Sequence, residues 1–135
     1  MYKNILVPIS FDDDCDAAGA QEIARVLAGK NAQITLLHVM EQIPAYAVSR
    51  MPVGYVQEAR IAIDDELEKM KAGKADVSAA IIEGHSGRSI LDWADKNQVD
   101  CIVIASHRPG ASDLILGSTA ARVVRHANCS VHVVR

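Results

Sequence analysis

The residues best suited to chemistry in this chain are Gly117, Ser118 and Thr119. They follow an apolar run, Cys101–Ala105, a polar turn, Ser106-His107-Arg108-Pro109, and the stretch 110–116. Beyond them Ala120, Val123, Val124 and Ala127 fall at i, i+3, i+4 and i+7, the spacing of one helix face. A strand that ends in a turn and leads into a Gly-Ser helix start presents free backbone N–H groups at the positive end of a helix dipole. Such a terminus accepts anions, phosphate above all. The hydroxyls of Ser118 and Thr119 add donors, and Arg108 adds a planar cation suited to bidentate phosphate contact. Each feature also has a plainer reading: Ser and Thr are favoured N-caps, and a turn arginine is often solvated.

Other polar groups are weaker candidates. The carboxylates Asp12, Asp13, Asp14 and Asp16 follow the first apolar run. They suit either a helix cap, with Asp13 or Asp14 as the capping residue, or a Mg²⁺ ion accompanying a nucleotide, and capping is the simpler role. His38, His85 and His107 each fall near a strand end, but without the paired spacing of a metal site. The run Glu83-Gly84-His85-Ser86-Gly87 is either a second anion-binding turn or a tight strand-to-helix connection. The chain has no G-x-S-x-G elbow, Walker A motif, H-E-x-x-H pair or G-x-G-x-x-G loop. No catalytic machinery stands out.

These groups need a scaffold that gathers strand ends. Half of the 135 residues are hydrophobic but only 4% are aromatic, so Ala, Val, Ile and Leu must build the core. That mix suits parallel strands buried on both faces. Strands are expected at 3–8, 33–39, Val77–Glu83, Cys101–Ala105 and Ser130–Val134. Helices are expected up to Leu27, at 56–71, at 86–97 and from Gly117 onward. Ala20, Ile23, Ala24 and Leu27 mark the inner face of the first helix, and Gly29 is expected just past its end. Ile63, Leu67 and Met70 mark the second helix, and Ile90, Leu91 and Ala94 the third. The alternation implies an α/β fold: one doubly wound, five-stranded parallel sheet with four helices on its two faces. Ligands of such sheets lie beyond the carboxyl ends of the strands, where strand order reverses. The long connection 40–54 has no clear period, and it reads as a lid, a partner surface or a surface excursion.

A chain of this length forms one domain, 1–135, and removes about two thirds of its unfolded surface from water. The formal net charge of −3, with no basic face, argues against nucleic acid as a partner. No apolar run approaches the roughly 20 residues that cross a bilayer, so no membrane insertion is expected. Met1-Tyr2-Lys3-Asn4 runs straight into a strand, with no signal peptide, and Cys15, Cys101 and Cys129 are odd in number without metal-like spacing. A cytoplasmic, reducing location is expected.

Taken together, the segments KNILVPIS, LLHV, EGHSGRSIL and IVIASHRPGASDLILGSTAARVVRHANCSVHVV resemble the universal stress protein family, most of all its small single-domain bacterial members. The last segment is similar to the family's nucleotide signature, two glycines separated by two residues ahead of a Gly-Ser or Gly-Thr pair. The resemblance implies a flavodoxin-like sheet in the order 3-2-1-4-5 and an adenine nucleotide, ATP or AMP with or without Mg²⁺, as ligand. By similarity, Pro8, Ile9 and Ser10 line the nucleoside part, and Val39 offers backbone contacts to adenine. Ala105, Ser106, His107, Arg108, Gly117, Ser118 and Thr119 hold ribose and phosphates. It also implies a homodimer paired through the edge strand Ser130–Val134.

The chain departs from the family pattern at four places. Ser10 stands where an Asp is frequent, Ala105 and Arg108 replace the two signature glycines, and Ala120 replaces a frequent hydroxyl. The spacer to Gly117 is also one residue short. Three functional readings follow. One is a cytosolic regulatory module of the stress response that binds ATP or AMP; the second is a protein-interaction or transporter-associated module with no nucleotide role; the third is at most a slow ATPase, resting on His107 and Asp12–Asp14 near the expected phosphates.

Overall fold

Five parallel strands form one sheet: β1 (Tyr2–Pro8), β2 (Ala28–Met40), β3 (Val77–Glu83), β4 (Cys101–Ala105) and β5 (Ser130–Val134). Their order is β3-β2-β1-β4-β5, as the resemblance implied. The helices are α1 (Ala17–Leu27), α2 (Ala45–Val48), α3 (Tyr55–Lys71), α4 (Ser86–Lys96) and α5 (Ser118–His126). The computed structural model describes residues 1–11, 16–106 and 116–135. Four helices match the expected ones, and the single turn α2 is an addition inside the 40–54 connection.

The period of two along the strands sorts the core into two layers. Ile5 and Val7 of β1, Ile34 and Leu36 of β2, and Cys101 and Val103 of β4 pack with Ala20 and Ala24 of α1 and Leu67 of α3. Leu6, Leu37, Ile102 and Ile104 point the other way, onto Ile90 and Ala94 of α4 and Ala120 and Val123 of α5. The chain steps from β1 through β2 to β3 in one direction, then returns to β4 and β5 on the far side of β1. Strand order therefore reverses between β1 and β4, and the crevice beyond their carboxyl ends is the place where such folds hold ligands.

Two polar anchors fix the frame. The Asp100 carboxylate accepts from the Lys3 and Asn4 amides at 2.8 and 3.0 Å, and the Asp100 amide donates to the Asn4 carbonyl at 3.0 Å. This locks the entry of β4 to that of β1. Buried Gln21 donates from Nε2 to the Met70 carbonyl at 2.7 Å, tying α1 to the last turn of α3.

Local expectations fail where long-range pairing intervenes. Asp16, not Asp13 or Asp14, caps α1, accepting from the Gly19 amide at 2.8 Å, because the helix begins only at Ala17. Asp12, Asp13 and Asp14 lie outside the described residues. Gly29 is not a helix cap. The chain passes straight from α1 into β2, and a Cβ at Gly29 would come within 3.1 Å of the Met1 nitrogen and the Tyr2 carbonyl oxygen. Tyr2 pairs with Ala28 but Asn4 pairs with Gln33, so the early part of β2 bulges, with Asn31 at a φ of 62°.

Candidate functional site

Where β1, β2 and β4 end, a cavity of about 160 Å³ opens between the strand ends and the start of α5. Pro8, Ile9, Ser10, Val39, Ala105, Ser106, Gly117, Ser118 and Thr119 all line it. His107 and Arg108, the other two candidate residues, lie outside the described residues. The topology brings these nine together because each belongs to, or directly follows, the carboxyl end of a neighbouring strand, or opens α5. Ile9, Leu37, Ile90 and Ile104, all nearly inaccessible, form an apolar floor. Ser118 is exposed, and Ser10, Ser86 and Thr119 are half-buried, so hydroxyls form the rim.

The β2 wall offers backbone groups. The last rung between β1 and β2 among the described residues is the Ile9 amide donating to the Leu37 carbonyl at 2.8 Å. Peptide groups in a parallel ladder alternate sides from one residue to the next. Met40 faces β3, where its carbonyl accepts from the Gly84 amide at 3.0 Å. Val39 must then face the other way, like Leu37, into the gap that β1 has left. Its N–H and C=O point toward the cavity that Val39 lines. His38 secures the turn opposite: its Nδ1–H donates to the Ile9 carbonyl at 2.8 Å, and its ring lies 5.1 Å from that of Phe11. Sequence reading placed His38 near a strand end, as it did His85 and His107, without the spacing of a metal site. Its observed role is to hold the β1 turn, and among the described residues no cluster of metal-ligating side chains forms.

The α5 wall is the start of a helix. Gly117 precedes the helix with φ −56° and ψ 152°, and no side chain among the described residues caps it. The amides of Ser118, Thr119 and Ala120 precede the first intrahelical bond, in which the Ala121 amide donates to the Gly117 carbonyl at 2.9 Å. Ser106 spaces the two walls. It is buried, its amide donates to the Val134 carbonyl at 2.8 Å, and its Oγ accepts from the Gly117 amide at 3.2 Å. The Ser106 hydroxyl proton is left to donate elsewhere.

The second Gly-rich turn carries the chain's own anion. Glu41, just past β2, accepts through Oε1 from the Ser86 hydroxyl at 2.5 Å and the Ser86 amide at 3.3 Å, so it caps α4 from across the cleft. Sequence reading missed Glu41, since nothing in its spacing signals a partner 45 residues away. The Ser86 hydrogen bonds hold the Glu41 carboxyl below its ordinary value. A lowered carboxyl contributes above its unfolded-state pKa and loses that contribution as pH falls through the folded-state value. The Ser86 amide resonance is expected to shift with pH at a midpoint below the ordinary Glu value. That titration should vanish in Glu41→Gln, and a midpoint at the ordinary value would dissolve the contact. Of the two thiols among the described residues, burial pushes Cys101 up to about 11 and raises Cys129, so neither is a thiolate near neutral pH.

Fold and site together define a doubly wound α/β domain with a cleft that has helix-start amides on one wall and strand backbone on the other. Comparison gives this class its family. The universal stress protein family model matches residues 1–135, and the chain belongs to that family. It is 27% identical over 139 residues to universal stress protein A homolog 2 of Coxiella burnetii, spanning 99% of this chain and 95% of that protein. Universal stress protein UspA from Lactobacillus plantarum has a TM-score of 0.72 at 28% identity, over 99% of this chain and 98% of that one. Two solved universal stress proteins share the fold at lower identity. One, in complex with cAMP, has a TM-score of 0.67 at 17% identity, over 99% and 97% of the two chains. The other, from Archaeoglobus fulgidus in complex with dAMP, has a TM-score of 0.62 at 19% identity, over 99% and 98%.

Proposed function

We propose that this universal stress protein binds an adenine nucleotide, ATP or AMP, in the cleft beyond β1 and β4, and acts as a cytosolic regulatory module of the stress response. The observation that carries the reading is the pairing of two unlike walls on one cavity. Val39 supplies a peptide donor and acceptor suited to the edge of a base, and the uncapped start of α5 supplies amides suited to phosphate. The solved relatives that hold cAMP and dAMP support an adenine ligand. Pro8, Ile9 and Ser10 take the nucleoside, while Ala105, Ser106, Gly117, Ser118 and Thr119, with His107 and Arg108, take ribose and phosphates. Mg²⁺ accompanies the phosphates when the nucleotide is ATP. The signal leaves the protein through a homodimer: β5 is the sheet's edge, bonded on one side to β4, and Ser130–Val134 of a second copy extends the ladder by two-fold pairing.

A module with no nucleotide role would rest on the side chains at Ser10, Ala105 and Arg108. Ala105 lines the cavity without closing it, and Ser10 keeps a polar atom on the rim. Calorimetric titration with ATP and with AMP, each with and without Mg²⁺, decides between the two. Heat of binding with a dissociation constant below a millimolar is expected, and absence of heat at millimolar nucleotide overturns the reading.

A further inference from the structure

A groove of about 470 Å³ runs along α5 beside the start of α4. It shares Ser86, Ser118 and Thr119 with the candidate nucleotide cavity, so the two spaces adjoin. Its remaining lining is mainly cationic or basic: Arg122 and Arg125 of α5, with His85 and His126, set against the single carboxylate of Glu41. Ser118, Arg122 and Arg125 stand at i, i+4 and i+7, one face of the helix. The line they mark is about 10 Å long at 1.5 Å per residue. Both arginines are exposed, and neither pairs with a carboxylate among the described residues. Arg122 is also positioned by packing. Gly87, in the first turn of α4, lets the arginine stem rest against it, since a Cβ there would lie 2.8 Å from Arg122 Cδ.

We propose that this groove takes the distal phosphates of a nucleoside polyphosphate, so that the site reads the length of the phosphate chain. The inference rests on the nucleotide reading and deepens it. A phosphate seated on the α5 amides leaves its continuation facing Arg122 and then Arg125, whose Cα–Cβ bonds tilt toward the helix start and whose guanidinium groups suit phosphate oxygens in pairs. A monophosphate is satisfied at the amides and ends short of the groove. Glu41, on the opposite rim, opposes added negative charge and so penalises the longer chain more than the shorter one.

The test is calorimetry with AMP, ADP and ATP at fixed ionic strength and without divalent cation. Wild type, Arg122→Gln/Arg125→Gln and Glu41→Gln are compared. Wild type is expected to hold ATP about tenfold or more tighter than AMP, the scale of one charge-assisted contact. The double arginine variant should bring ATP down to the AMP level and leave AMP within about twofold, one contact being lost only for the longer chain. Glu41→Gln should widen the ATP-to-AMP ratio. Equal affinity of wild type for the two nucleotides, or equal loss of both in the arginine variant, overturns the groove and leaves the nucleotide reading standing. Absence of heat with every nucleotide overturns both. Far-ultraviolet circular dichroism of the variants, all at exposed positions, is expected to match wild type.

Discussion

Replacing Ser118 by proline is expected to weaken ATP and AMP binding about 10- to 100-fold with almost no change in thermal stability, the loss matching one charge-assisted hydrogen bond of about 1.5–3 kcal/mol. The contrast follows from the geometry at the start of α5. Ser118 is the first helical residue, where proline is tolerated because the N–H it lacks has no intrahelical partner. The residue before a proline is pushed into extended backbone, and Gly117 already stands at φ −56° and ψ 152°. The substitution therefore removes one phosphate-facing donor from an otherwise intact helix. Ser118→Ala is the control, since it deletes the hydroxyl and keeps the amide. If the amide does the binding, the alanine variant should lose well under tenfold, on the scale of one neutral hydrogen bond. Wild-type affinity in the proline variant would place the phosphate elsewhere.

This site is largely one of peptide groups, and that decides how much of it is legible in the chain. Runs of apolar residues with turn residues at their ends locate β3, β4 and β5 at the residues the sequence suggests, although of the three only β4 is buried almost throughout. Once the strand order is known, the reversal between β1 and β4 gathers Pro8, Val39, Ser106 and Gly117 without any side-chain motif. What stays hidden depends on contacts far apart in sequence. The bulge at 28–32 is set by pairing with Tyr2. His38 and Glu41 find partners 29 and 45 residues away. Val124 shows a different failure. Helical spacing puts it on the inner face with Ala120 and Val123, yet it is 45% exposed. Helix α5 lies at the β5 end of the sheet with α4 on its other side, so one flank of its apolar stripe meets no further layer.

Truncating Leu6 to alanine is expected to cost about 3–5 kcal/mol of stability and to lower the melting midpoint by roughly 10 °C or more, whereas Leu37→Ala should cost only about 2–3 kcal/mol. Both leucines are fully inaccessible and belong to the same core layer. The chemical group removed is the same, so the difference lies in what surrounds the space left behind. Leu6 sits on the central strand and is not among the residues that line the candidate cleft. The cost then contains the full loss of packing, which rises with the volume that neighbours fail to refill. Leu37 lines the cleft, so its truncation enlarges a space that already opens outward beside hydroxyl groups. Water that finds polar partners there recovers part of the loss. The two variants should also separate in function. Leu6→Ala leaves nucleotide affinity unchanged at temperatures where it is folded, while Leu37→Ala lowers it by removing part of the apolar floor beneath the base. Urea unfolding compared across the pair, with calorimetry on the folded proteins, checks both halves; equal costs and equal affinities would mean that Leu37 is sealed from the cleft.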